Sequence, residues 1–166
     1  YIGFKGVEDL GNGLKALFQY ETSFYGDTGT FETASNKGRD TFVGLTGGFG
    51  TVVAGNLTHP LRAMGAKVEL LPGAAGFGTT ASLTGQIAGT KTGADDRAQN
   101  AIAYVSPSFG GFSGTVAYVN GETQKNGDGE AEARSYQFAG QYDNGPLFVA
   151  AGYHKASNMS AAGTVG

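Results

Sequence analysis

Only two histidines, His59 and His154, occur in this chain, 95 positions apart (154 − 59), and no cysteine accompanies them. There is no paired H-x-x-x-H on one helical face and no thiolate, so neither a zinc site nor a disulfide framework is expected. Gly11-Asn12-Gly13-Leu14-Lys15-Ala16 fits the G-x-G-x-x-A spacing of a dinucleotide loop. It opens a strand-like segment, however, and a phosphate would find no helix N-terminus there. Gly73 and Gly78 have the glycine spacing of a phosphate loop, but Thr79 stands where the phosphate-binding lysine belongs. No nucleophile elbow is present. No cofactor and no catalysis are expected. The remaining chemistry is electrostatic, carried by scattered charges of which Lys15 is the clearest, because it alternates with the apolar positions Phe18 and Tyr20.

What must position such charges is legible in the composition. The 166 residues include 30 Gly but only 4 Pro, so a collagen period is absent, and 8 Tyr with 11 Phe are too many for a disordered linker. Glycine-rich, aromatic and alternating is a pattern that suits β-structure with tight turns. A net charge of −3 with dispersed Lys and Arg shows no basic stripe for nucleic acid. No apolar run reaches the roughly 18 residues that a transmembrane helix requires. The chain opens on Tyr1-Ile2-Gly3-Phe4, which already reads as strand and not as a signal peptide, so it is expected to be a piece of a longer protein.

The dominant period is two. Leu14, Ala16, Phe18, Tyr20, Thr22 and Phe24 alternate with Lys15, Leu17, Gln19, Glu21 and Ser23. The same happens where Tyr136, Phe138, Gly140 and Tyr142 face away from Ser135, Gln137, Ala139 and Gln141, and where Phe112, Gly114, Val116 and Tyr118 oppose Ser113, Thr115 and Ala117. In 97–105, Ile102 and Tyr104 are set against Arg97, Gln99, Ala101 and Ala103. Strands are expected near 1–6, 14–24, 39–47, 51–57, 97–105, 112–120, 134–143 and 147–156. Their connections alternate between short (7–13, 48–50, 106–111, 143–146) and long (25–38, 58–96, 121–133). Such asymmetry marks transmembrane barrels, with short turns on one side and long loops on the other. Aromatics near strand ends fit an interfacial girdle, and several strands have the roughly 9–11 residues needed to cross the hydrocarbon. A soluble β-sandwich would also alternate. Its outward face would carry long charged groups, whereas Ser, Thr, Gln, Ala and Gly dominate here, as suits a wet lumen.

Residues Ile2-Gly3-Phe4-Lys5-Gly6 with Glu8–Ala16 resemble the N-terminal region of Gram-negative general porins, above all the neisserial-type porins of β-proteobacteria. Phe42–Val52 resembles the next hairpin, Ser106–Gly114 the turn after the constriction loop, and Asn144-Gly145-Pro146 a later periplasmic turn. The likeness covers nearly the whole chain in the family's order. It implies an all-β antiparallel transmembrane barrel of sixteen strands, of which this chain would supply strands two to nine. The signal peptide, first strand and C-terminal half would lie outside it. It further implies a homotrimer in the bacterial outer membrane, in contact with lipid and lipopolysaccharide, that passes ions and small hydrophilic solutes by passive diffusion. The alternative is a small eight-stranded structural or adhesin barrel, but such a barrel fills its interior with side chains and has no room for a loop of this length.

The resemblance makes 58–96 the loop that folds into the pore and narrows it. The residues support this independently: Leu61, Met64, Val68 and Leu71 recur at helical spacing before Pro72, as expected of a short helix whose apolar stripe packs on the inner wall. Lining residues are expected to be Lys5, Lys15, Arg39 and Arg97 on the wall, facing Glu69, Asp95 and Asp96 of the loop, with Lys5 and Arg39 assigned by the resemblance. Opposed charges across a narrow aqueous passage sort solutes by charge and orientation. Asn56 and Ala103 stand where the family often has arginine, so the cationic wall is thinner than usual. Taken alone, these strands are expected to form a curved sheet with two unpaired edges or a small closed barrel.

Overall fold

In the computed structural model the described residues are 1–31, 39–69, 86–87, 90–91, 97–121 and 134–157. Eight long strands make one antiparallel sheet: β1 (Ile2–Gly11), β2 (Leu14–Thr22), β5 (Thr41–Gly47), β6 (Gly50–Thr58), β9 (Arg97–Val105), β10 (Phe112–Asn120), β11 (Arg134–Asn144) and β12 (Leu147–Ser157). Two small hairpins lie in the long connections, β3 (Phe24–Tyr25) with β4 (Thr30–Phe31) and β7 (Gln86–Ile87) with β8 (Thr90–Lys91). Every strand of the large sheet pairs with its sequence neighbour, so the order is that of a meander, β1-β2-β5-β6-β9-β10-β11-β12. Among the described residues β1 and β12 are not paired with each other, and the wall stays open at both edges.

The eight expected strands are all present, with two boundaries clearly misplaced. β1 runs to Gly11 and not to about residue 6, because the reversal is a two-residue Asn12-Gly13 turn rather than a loop over 7–13. Both central residues have positive φ, 52° and 77°, the geometry in which an Asn-Gly pair matches the twist of the flanking strands. Glu8 and Asp9 look like loop residues only because β1 exposes both faces near its end. The reading of 14–24 as one strand is also shortened, since β2 stops at Thr22 and Phe24 begins the β3–β4 hairpin.

A second correction concerns Gln99. Alternation placed it beside Ala101 and Ala103, yet Ala98 is buried and Gln99 is exposed. The β6–β9 register shifts between Gly55 and Leu57, and Asn100 sits in the left-handed region at φ 53°. An extra residue at such a bulge shifts the alternation, so that Ala98 and not Gln99 shares the buried face of Ala101.

The two faces of the sheet have opposite character. On one, Phe4, Phe18, Val43, Ile102, Tyr104, Val116, Phe138, Val149 and Tyr153 remain exposed to the surroundings, Phe4 and Val43 by 64% each. Register ties them into continuous cross-strand rows, such as Ile102–Tyr118–Tyr136 and Tyr104–Val116–Phe138–Tyr153. The Tyr118 and Tyr136 rings lie 5.0 Å apart, and those of Phe112 and Tyr142 4.5 Å. An apolar face this extensive is untenable in water and is satisfied by hydrocarbon. Apart from Leu57, the buried residues of the strands that pack on the other face are mostly small or polar: Ala98, Ala101, Ala103, Ala117, Val119, Ser135 and Gln137. This is a globular protein's distribution turned inside out.

Candidate functional site

A short helix sits on the small-residue face. After β6 the chain passes through His59, whose extended conformation (φ −59°, ψ 143°) is the one favoured before a proline, into α1 (Pro60–Gly65) and a 3-10 turn over Ala66–Val68. Pro60 occupies the first helical turn, where its missing N–H costs nothing. The helix of the expected stripe therefore exists but is shorter. Leu61 and Met64 face the wall, whereas Val68 is 53% exposed, and Leu71 and Pro72 lie outside the described residues.

Contacts from α1 settle which face it uses. Gln137, Asp143, Phe148, Gly152 and His154 all alternate with the apolar row that includes Phe138 and Tyr153, and all meet the helix segment. The Leu61 backbone N–H donates to Gln137 Oε1 at 3.4 Å, and the Leu61 side chain rests directly on Gly152. Lys67 Nζ lies 3.0 Å from Asp143 Oδ2 and 5.3 Å above the Phe148 ring. The His59 ring is 6.2 Å from that of His154, whose Nε2 shares a 2.8 Å hydrogen bond with Ser135 Oγ. Between helix and wall remains a cleft of about 360 Å³, bounded by Phe42, Val53, Thr58, Met64, Lys67 and Gln141 among others. Gly152 makes room for this contact, since a Cβ there would force the Leu61 side chain to move.

The expected lining residues fall in three groups. Lys5 and Lys15 are exposed on this inner face, Lys5 opposite Gln19 and Lys15 between Asp9 and Thr46 in register. Arg39 and Arg97 are on the same side but carry partners. Arg39 Nε is 3.1 Å from Glu21 Oε2, its guanidinium 3.9 Å above the Tyr1 ring. Arg97 Nε is 3.2 Å from Asp40 Oδ1, and Asp40 also accepts from Thr58 Oγ1 at 2.8 and 3.0 Å. Glu69 closes the 3-10 turn and is half-buried, while Asp95 and Asp96 lie outside the described residues. Sequence reading missed Glu21 and Asp40. Glu21 could have been found, since its alternation with Tyr20 and Thr22 already put it on the polar face.

The two arginine losses have visible counterparts. Asn56 Nδ2 donates to the Arg39 carbonyl at 2.9 Å, tying β6 to the start of β5. Ala103 is buried on the floor of the cleft, where a longer side chain would fill the space beneath α1.

Fold and site together define a stretch of transmembrane barrel wall with a helix-bearing loop turned to its inner side. The Gram-negative porin family model matches residues 1–166, and the chain belongs to that family, whose members are channels rather than enzymes, and to the outer membrane. It is 39% identical over 166 residues to the major outer membrane protein P.IB of Neisseria lactamica, covering 99% of this chain and 45% of that one. With the outer membrane porin protein 32 of Delftia acidovorans it shares 38% identity over 154 residues, 91% of this chain and 43% of that one. The solved anion-selective porin from Comamonas acidovorans superposes with a TM-score of 0.74 at 35% identity, covering 92% of this chain and 46% of that chain. The chain thus spans under half the length of the curated relatives it matches.

Proposed function

We propose that the whole protein is a passive-diffusion porin, without catalytic activity, through which ions and small hydrophilic solutes cross the outer membrane. The observation that carries this reading is the position of α1: it lies on the small, polar face of a wall whose opposite face is apolar and exposed. A loop so placed narrows an aqueous lumen, and residues 58–96 are its constriction segment. Lys5, Lys15, Arg39 and Arg97 line the wall side; Glu69, Asp95 and Asp96 supply charge from the loop. Assembly as a homotrimer in contact with lipid and lipopolysaccharide follows from the family. A separate eight-stranded barrel is disfavoured because β1 and β12 are not paired with each other among the described residues.

The test is electrical. Full-length protein reconstituted in a planar bilayer should give stepwise, ohmic conductance that scales with salt. Faithful insertion without ion passage would refute the pore.

A further inference from the structure

We infer that Glu21 and Asp40 are selectivity-determining residues, because each neutralises one of the two arginines on the inner side of this wall, Arg39 and Arg97. The inference rests on the porin reading above. In a row of free cations every guanidinium would draw anions into the lumen. Here Arg39 and Glu21 are 28% and 18% exposed and 3.1 Å apart, and Arg97 and Asp40 are 18% and 24% exposed and 3.2 Å apart. At such separations an ion in the passage meets a dipole, and a dipole's field dies away much faster than a charge's.

Both carboxylates are held in place by other groups. Gln19 Nε2 donates to Glu21 Oε1 at 2.7 Å, while Thr58 Oγ1 fixes both oxygens of Asp40. Neither acid depends on its arginine alone for its position. Of the four basic residues assigned to the inner side of the wall, Lys5 and Lys15 form no ion pair among the described residues, and Lys15 stands opposite Asp9 in register. Lys5 is then the principal uncompensated cation of this stretch, and the field across it is far weaker than four basic residues suggest.

Glu21→Gln and Asp40→Asn keep the size and hydrogen-bonding oxygen of each acid while freeing one positive charge. A unit charge about 8 Å from a permeating ion, screened at 0.1 M salt, changes the anion-to-cation permeability ratio about twofold. Reversal potentials of the full-length protein in a KCl gradient should therefore move towards anion selectivity by about that factor in each variant. Arg39→Gln should move them the opposite way by exposing Glu21, and the double variant Glu21→Gln/Arg39→Gln should return to the wild-type ratio. Unchanged ratios in channels of wild-type conductance would overturn the inference and leave the pore intact. So would a double variant that stays shifted, which would make the single effect a rearrangement. Should either neutralised acid fail to insert, Arg39→Gln alone decides: no cation-ward shift rejects the compensation. Absence of conductance in the wild type would remove the porin reading itself.

Discussion

Replacing Gly152 by valine should prise α1 from the wall and widen the passage. A Cβ at this position falls on Leu61 Cδ2 and lies 3.2 Å from the Phe138 carbonyl oxygen, so the Leu61 side chain must move, and the added methyls of valine press it against α1. What holds α1 is modest. Partial burial of Leu61 contributes roughly 1–2 kcal/mol, and its long hydrogen bond to Gln137 about 0.5–1 kcal/mol. The Lys67–Asp143 pair, with side chains 43% and 51% exposed, adds a few tenths of a kcal/mol after solvent screening. Together these amount to about 2–3 kcal/mol, which leaves the helix undocked in roughly one to a few molecules in a hundred. Overpacking costs about 1–3 kcal/mol. A loss of about 2 kcal/mol raises the undocked fraction to more than one in ten. Single-channel recordings of full-length protein should then show frequent excursions to a larger conductance. In combination with Leu61→Ala, which loses that burial but makes room for valine, the excursions should be fewer than the two single effects sum to, a non-additivity that a double-mutant cycle measures. Wild-type conductance and noise in folded Gly152→Val protein would refute the docking argument.

Other changes follow from the same geometry. Lys15→Glu should shift selectivity towards cations, because its side chain is exposed on the inner face; unchanged reversal potentials would remove it from the lining. Phe138→Arg places a charge in mid-wall on the lipid side and should cost about 2–4 kcal/mol of stability in urea-unfolding measurements from liposomes. Ser106→Ala should cost about 1 kcal/mol in the same assay. It removes the 2.9 Å acceptor for the Gly114 N–H at the Ser106–Gly111 turn and leaves the backbone bond from Ser106 N to the Gly114 carbonyl in place.

Much of the wall was legible because a strand's information is local. Residues two apart share a face whatever the rest of the chain does, so Phe138 and Tyr136 could be separated from Gln137 and Ser135 by counting alone. Where a reading failed, a non-local or conformational event had intervened. The left-handed Asn100 bulge reversed the face of Gln99, and the Asn12-Gly13 turn let β1 continue through two acids that looked like loop. Neither bulge nor turn type is encoded by hydropathy.

The amino-acid order by itself determined the class of fold, the order of hairpins, the apolar and polar faces, and the membership that those motifs carry. Tertiary structure alone decided what the charges do. Arg39 and Glu21 are 18 residues apart and Arg97 and Asp40 are 57 apart, so only the sheet register brings each cation to its acid. The same holds for Leu61 and Gly152, whose fit depends on a helix returning across the wall to meet a strand far along the chain. Alternation follows from backbone geometry over two residues, whereas pairing and docking depend on distances that exist only once the strands are assembled.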